Sequence, residues 1–231
     1  MTAVKALVFD VFGTVVDWRG SIVGEVQAMW PRLDAPAFAD AWRAGYVPAM
    51  DRTRRGEIAW TNIDGLHRTI LDEIRPRFGL GELSEPEVDR LNRVWHRLNP
   101  WPDVVSGLRR LKTQHVIATL SNGNTSLLVN MAKHAGLPWD CILSAENVRH
   151  YKPDLEVYLL VPHLFELKAD QVMMVAAHEH DLQSASKHGL RTAFVHRPYE
   201  RGAGKSAVIP SSNKYDIVAT DFLDLASQLA V

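Results

Sequence analysis

The chain has 231 residues, 46% hydrophobic and 23% charged, which is enough to bury a sizeable core and too apolar for a disordered protein. Its 26 Lys and Arg nearly cancel 27 Asp and Glu, so no net field draws it to nucleic acid or an anionic membrane. No uncharged apolar run reaches the roughly 18 to 20 residues that span a bilayer, and Lys5 and Asp10 interrupt the first apolar stretch, against a signal peptide.

The first element, KALVFDV (5–11), is a short apolar run closed by Gly13, which predicts a buried parallel strand leading into a turn. From Trp18 the strand pattern stops, and PAFADAWRAGYVPAM (36–50) and PEVDRLNRVWHRL (86–98) read as amphipathic helices. The two prolines of NPWPD (99–103) cannot continue a helix and mark a return to strands. HVIATLSNG (115–123), CILSAE (141–146), DQVMMVAAH (170–178), RTAFVHRP (191–198) and YDIVATD (215–221) then alternate with helix-like segments.

This order predicts an α/β protein: a Rossmann-like parallel-sheet core from residues 1–17 and 100–231, with an inserted helical cap domain over 18–99. Parallel sheets bind ligands at the carboxyl ends of their strands, which gathers Asp10, Ser121 and Asp181 from distant parts of the chain into one crevice. The partners expected there are small molecules. A single cysteine, Cys141, fits a reducing compartment, and a cytoplasmic location is expected. The aromatic-rich segments at 18–30 and 91–101 suggest packing within the helical region or a homodimer interface. GAGKSA (202–207) lacks the full phosphate-loop spacing and reads as a surface turn.

FDVFGT, LSNG, YKPD and HEHD follow successive strand ends, and in that order they resemble the four motifs of the haloacid dehalogenase superfamily. Phosphatases of that superfamily carry a second aspartate two positions after the nucleophile as general acid, where this chain has Phe12. A leaving group that needs no proton, such as halide, suits a phenylalanine there, so the pattern resembles the metal-independent L-2-haloacid dehalogenase branch. Phe12 would also help exclude water from a small apolar pocket.

The resemblance implies a covalent route without cofactor or metal. Asp10 displaces halide from a small halogenated carboxylate to give an ester, and water attacks the Asp10 carboxyl carbon to release a 2-hydroxy acid. It implies that Thr14 and Asn122 orient Asp10 or the substrate, that Ser121 and the amides near Val11 and Phe12 hold the substrate carboxylate, and that Lys152 keeps Asp10 ionised. It implies further that Arg43 grips the halide, that Trp60 and Tyr158 lie near the pocket, and that Asp181 helps Lys152 position water. His150, Tyr151 and Trp60 are further candidates for a compact halide pocket.

The fourth motif departs from the family pattern Ser-Ser-Asn-x-x-Asp, reading Ala176, Ala177, His178, Glu179, His180, Asp181. His178 then either replaces the asparagine as a hydrogen-bonding group or serves as a base. Adjacent His and acidic residues suggest zinc by composition, but no HExxH spacing occurs. The bland alternatives are a turn-capping role for Asp10, a surface ion pair for Arg43, and core packing for Trp60 and Tyr158. A magnesium-dependent phosphatase, a hydrolase of another small carboxylate and a non-catalytic binding protein remain open as alternative functions.

Overall fold

The computed structural model describes residues 3–202 and 208–231, so most of the GAGKSA turn lies outside the described residues. The chain opens with β1 (Ala6–Phe9) and a short β2 (Val16–Asp17), then runs through α1 (Trp18–Met29), α2 (Ala35–Ala44), α3 (Tyr46–Arg54), α4 (Ile63–Ile74) and α5 (Glu85–Asn92). It returns through β3 (Asn99–Pro100), which pairs antiparallel with β2. Helix α6 (Val104–Leu111) leads to β4 (Val116–Ser121), α7 (Thr125–Ala135), β5 (Cys141–Ser144) and α8 (Leu155–Leu164). The last elements are β6 (Val172–Ala176), α9 (Glu179–Lys187), β7 (Arg191–Val195), β8 (Ile217–Ala219) and α10 (Phe222–Gln228).

Six strands form one parallel sheet in the order β5-β4-β1-β6-β7-β8. Strand β1 is central and its four residues are fully buried, as expected for a strand covered on both faces. Phe9 lies opposite both Thr119 and Val175, so the three strands end almost level. The chain fills the sheet on the β4 side of β1 before crossing to β6, which makes the carboxyl end of β1 the topological switch point where a ligand crevice opens.

All five helices between β2 and β3 come from the stretch in which helices were expected, but two bounds differ. The 36–50 segment breaks at Gly45 into α2 and α3, with Pro48 in the first turn of α3. Proline is tolerated there because its missing N–H would have no partner, whereas mid-helix it would break one. A Cβ at Gly45 would stand 2.6 Å from Ile70 Cγ2, so glycine also lets the joint sit against α4. After Asn92 the second segment tightens into a 3₁₀ turn, Arg93–Arg97.

Helices α1, α2 and α4 start at carboxylate or amide caps: Asp17, Asp34 and Asn62 accept from the amides of Gly20, Ala37 and Gly65 at 2.8, 3.0 and 3.1 Å. Hydrogen bonds join this helical layer to the sheet domain. Arg54 reaches Asp154 Oδ1 with Nη2 at 2.7 Å, the amide of Asp64 donates to Asn124 Oδ1 at 3.1 Å, and Tyr151 Oη donates to Thr61 O at 2.6 Å. Among the described residues no helix is long and apolar enough to cross a membrane.

Candidate active site

Asp10 is the first residue after β1, and its amide donates to Val175 O at 3.0 Å, pinning the turn to β6. The chain then reverses at Gly13, whose φ of +86° lies in the left-handed region that glycine favours. The amides of Val15 and Val16 return to Val11 O at 2.9 and 3.2 Å. This tight return carries Thr14 to Asp10. Its hydroxyl donates to Asp10 Oδ2 at 2.8 Å while accepting from the Ala177 amide at 2.9 Å.

On the other oxygen stands a cation. Lys152 Nζ is 3.6 Å from Asp10 Oδ1 and donates to Asp181 Oδ2 at 2.6 Å. Tyr158 Oη donates to the second Asp181 oxygen at 2.7 Å, and the Lys152 amide donates to Asn122 Oδ1 at 2.9 Å. Each Asp181 oxygen thus accepts one of these bonds, and the carboxylate anchors Lys152. Burial opposes charge on Asp10, but the Lys152 ammonium, the bond from His178 and the Thr14 hydroxyl outweigh it and hold this carboxyl well below the usual range.

His178, at the cap position of α9, places Nδ1 3.0 Å from Asp10 Oδ2 and Nε2 3.0 and 3.1 Å from the two oxygens of Glu200. A carboxylate only accepts, so a ring between two carboxylates carries a proton on both nitrogens. Burial works against that charge, yet the bonds to Asp10 and Glu200 push the His178 pKa up to about 10. Both ring nitrogens of His178 thus face carboxylates, the geometry that the hydrogen-bonding role calls for. His180 is its converse: burial and the neighbouring His178 charge hold it below the ordinary imidazole value.

These groups line a cavity of about 650 Å³ at the switch point, roofed by α2 and α3. Phe12 lines it and meets Tyr46 and Trp95 edge to face at centroid distances of 6.3 and 5.7 Å. Arg43 enters from the last turn of α2, its guanidinium 4.1 Å over the Tyr46 ring and 5.5 Å over Trp18. Arg43 Nη1 is buried without a hydrogen-bond partner among the described residues, which leaves a charged donor free for an anion. Asn122, Lys152, Tyr158, Asp181, His178 and His180 share the same cavity.

Five expected positions, Val11, Ser121, Trp60, Tyr151 and His150, do not line the cavity. Val11 is buried and its carbonyl closes the turn, and Ser121 Oγ accepts from the Gly123 amide at 3.1 Å, shaping the loop after β4. Trp60 stacks on Tyr151 at 4.7 Å, away from the cavity, with Tyr151 turned towards Thr61. His150 faces solvent and the Asp154 carboxylate. Thr14 also lies off the cavity wall, but its hydroxyl bond to Asp10 matches the orienting role expected of it. Conversely, Glu200, Trp18, Tyr46 and His180 line the cavity though sequence reasoning gave them no site role. For Glu200 the available signal was its place in the loop after a fifth strand, β7.

A magnesium ion needs a near-octahedral shell of oxygens at roughly 2.0–2.1 Å. The residues here do not fit one: the Lys152 ammonium occupies the gap between Asp10 and Asp181, Asp10 Oδ2 is committed to Thr14 and His178, and Phe12 stands where a second carboxylate would serve.

Comparison with known proteins agrees with this geometry. The pattern of haloacid dehalogenase-like hydrolases matches residues 4–189, and the chain belongs to that family. Among solved structures it is similar to the L-2-haloacid dehalogenase PA0810, at 45% identity and TM-score 0.94 over 99% of both chains. It is equally similar to the defluorinating L-2-haloacid dehalogenase Rha0230, at 45% identity and TM-score 0.94 over 99% of this chain and 96% of that one. A curated relative, (S)-2-haloacid dehalogenase 4A of Burkholderia cepacia, is 28% identical over 203 residues, 84% of each chain.

Proposed function

We propose that this chain hydrolyses small 2-haloalkanoic acids to 2-hydroxy acids, with Asp10 as the covalent nucleophile and residues 18–99 as the cap over its pocket. The observation that carries the reading is the asymmetry of Asp10. Oδ2 accepts from Thr14 and His178, whereas among the described residues Oδ1 has the Lys152 ammonium 3.6 Å away and no hydrogen-bond donor on it, which leaves it free to attack.

In the first step Oδ1 bonds to C2 of the substrate and the halide leaves with the electrons of its bond to carbon. The Arg43 donor left without a partner receives that anion, and its planar fork is suited to the task. No proton is needed by the leaving group, which accords with Phe12 at the position where a phosphatase needs an acid. In the second step water adds to the Asp10 carboxyl carbon and the bond from that carbon to Oδ1 breaks, so Oδ1 departs as the product hydroxyl. Neutral His180, in the same cavity, is the group able to accept the proton that water gives up.

One chain supplies all of these side chains, and the partners of the reading are a halogenated carboxylate and water. The free thiol of Cys141 is consistent with the cytoplasm. The likeness to a protein described as defluorinating supports including fluoroacetate among the substrates. The test is halide release from chloroacetate, L-2-chloropropionate and fluoroacetate in excess chelator, wild type against Asp10→Asn. Chelator-resistant release that drops by three or more decades on substitution is expected, as for loss of a covalent nucleophile. Magnesium-dependent phosphate release in place of halide release would overturn the reading.

A further inference from the structure

Glu200 lies in the loop after β7, remote in sequence from every motif of the site. Its side chain is 12% exposed, and its oxygens meet His178 Nε2 and the indole N–H of Trp18, the latter at 3.2 Å. The nucleophile turn makes room for it: a Cβ at Gly13 would stand 2.3 Å from Glu200 Oε1. Glycine at position 13 serves the left-handed backbone and leaves the Glu200 carboxylate its place against the turn.

The charged groups around His178 come from several elements. Asp10 faces Nδ1 from the end of β1 and Glu200 faces Nε2 from the loop after β7. His180 lies 5.6 Å away, ring to ring, on its own helix α9. Lys152 acts on Asp10 from the loop before α8, and Arg43 acts on Glu200 from α2.

We propose that Glu200 is a positioning residue that holds His178 as a doubly donating imidazolium, making Asp10 Oδ2 the oxyanion site of the ester-hydrolysis step. The inference rests on the reading of Asp10 as nucleophile. Once Oδ1 carries the substrate carbon, Oδ2 is the ester carbonyl oxygen, still facing the Thr14 hydroxyl and His178 Nδ1–H. When water adds to the carboxyl carbon, the carbonyl π pair moves onto Oδ2, where these two donors are already aimed. Collapse restores the carbonyl and expels the 2-hydroxy acid as its alkoxide. One proton of the water ends on that hydroxyl and the other leaves through the accepting base to solvent. In the ester Asp10 carries no charge, so Glu200 is the anion that holds the ring's second proton, and without it that proton is held less firmly.

Rapid-quench single turnovers with L-2-chloropropionate separate halide release from ester breakdown, the ester being followed by intact mass across pH for wild type, Glu200→Gln, His178→Gln and the double variant. Glu200→Gln is expected to release halide within a few-fold of wild type and to accumulate ester. Its ester breakdown should slow on the order of 10-fold to 100-fold, less than outright loss of an oxyanion donor. The alkaline limb of ester breakdown should move down by roughly one to three pH units, the effect of removing one opposite charge. In the His178→Gln background the second substitution should add nothing.

An unchanged pH profile in Glu200→Gln, or an equal slowing with and without His178, would overturn the proposal. So would a His178→Gln variant that breaks down ester at the wild-type rate with the same alkaline limb, which keeps the test decisive if Glu200→Gln does not fold. Absence of halide release from wild type would instead sink the Asp10 reading, a separate result.

Discussion

Phe12 packs edge to face against Trp95, the centroids 5.7 Å apart and the ring planes at 85°, so the residue two places past the nucleophile is part of the contact between sheet and helical layer. His67 stacks on Trp95 at 4.0 Å and meets Phe12 edge to face at 6.3 Å, its pKa held well below the ordinary imidazole value by burial and by the Arg43 charge. A carboxylate introduced at position 12 would meet aromatic faces and a neutral ring.

Phe12→Asp should therefore lose dehalogenation without gaining phosphatase activity. The lost aromatic volume alone costs about 3–5 kcal/mol, read from a fall in the urea midpoint. Magnesium-dependent phosphate ester hydrolysis by this variant would show that position 12 alone divides the two chemistries.

Arg43→Lys keeps a positive charge but loses the planar fork over Tyr46 and the unpartnered Nη1. Halide release should slow by about 10² to 10³, with Tm little changed and product halide inhibiting more weakly. A wild-type rate in the lysine variant would remove Arg43 from the chemistry.

Arg197 braces the turn from behind. Its Nε donates to Thr14 O at 2.8 Å, its two terminal nitrogens clasp Asp103 at 2.8 and 2.9 Å, and it is 5% exposed. Arg197→Met leaves the largely buried Asp103 without its cation, though still accepting from the Phe222 amide, and removes the donor to the carbonyl of Thr14, for an expected loss of about 3–5 kcal/mol in chemical denaturation. A loss within about 0.5 kcal/mol, the range of an exposed site, would show that the turn holds itself.

The site should also shape stability against pH. His178 is raised from 6.5 to about 10, so its contribution is fully present below its unfolded value and is lost as pH rises through about 10. Asp10 and Glu200 are lowered, so theirs is present above the ordinary carboxylate range and is lost as pH falls through the depressed values. The urea midpoint should form a plateau between the ordinary carboxylate range and about pH 6.5, falling on the acid side and declining from 6.5 to about 10 on the alkaline side, and His178→Gln should remove most of the alkaline fall. An alkaline limb that persists in that variant would assign it to other groups.

Strand ends and hydrophobic periods were legible in the chain because they are local. Apolar runs ending in Asp10, at Ser121 and shortly before Asp181 place three positions at one end of a parallel sheet, and the family resemblance of LSNG and YKPD adds Asn122 and Lys152. Phe12, set against the aspartate that the superfamily's phosphatases carry at that position, told against a protonated leaving group. The direction of a side chain past a strand end is a different matter, since it depends on how each loop closes and on which neighbour meets its polar atoms. Ser121 turned inward to Gly123, Trp60 stacked on Tyr151, and Asp181 accepted from Lys152 and Tyr158. Only the folded chain, by bringing the loop after β7 back onto Gly13, set Glu200 against His178 and so decided that this imidazole donates at both nitrogens.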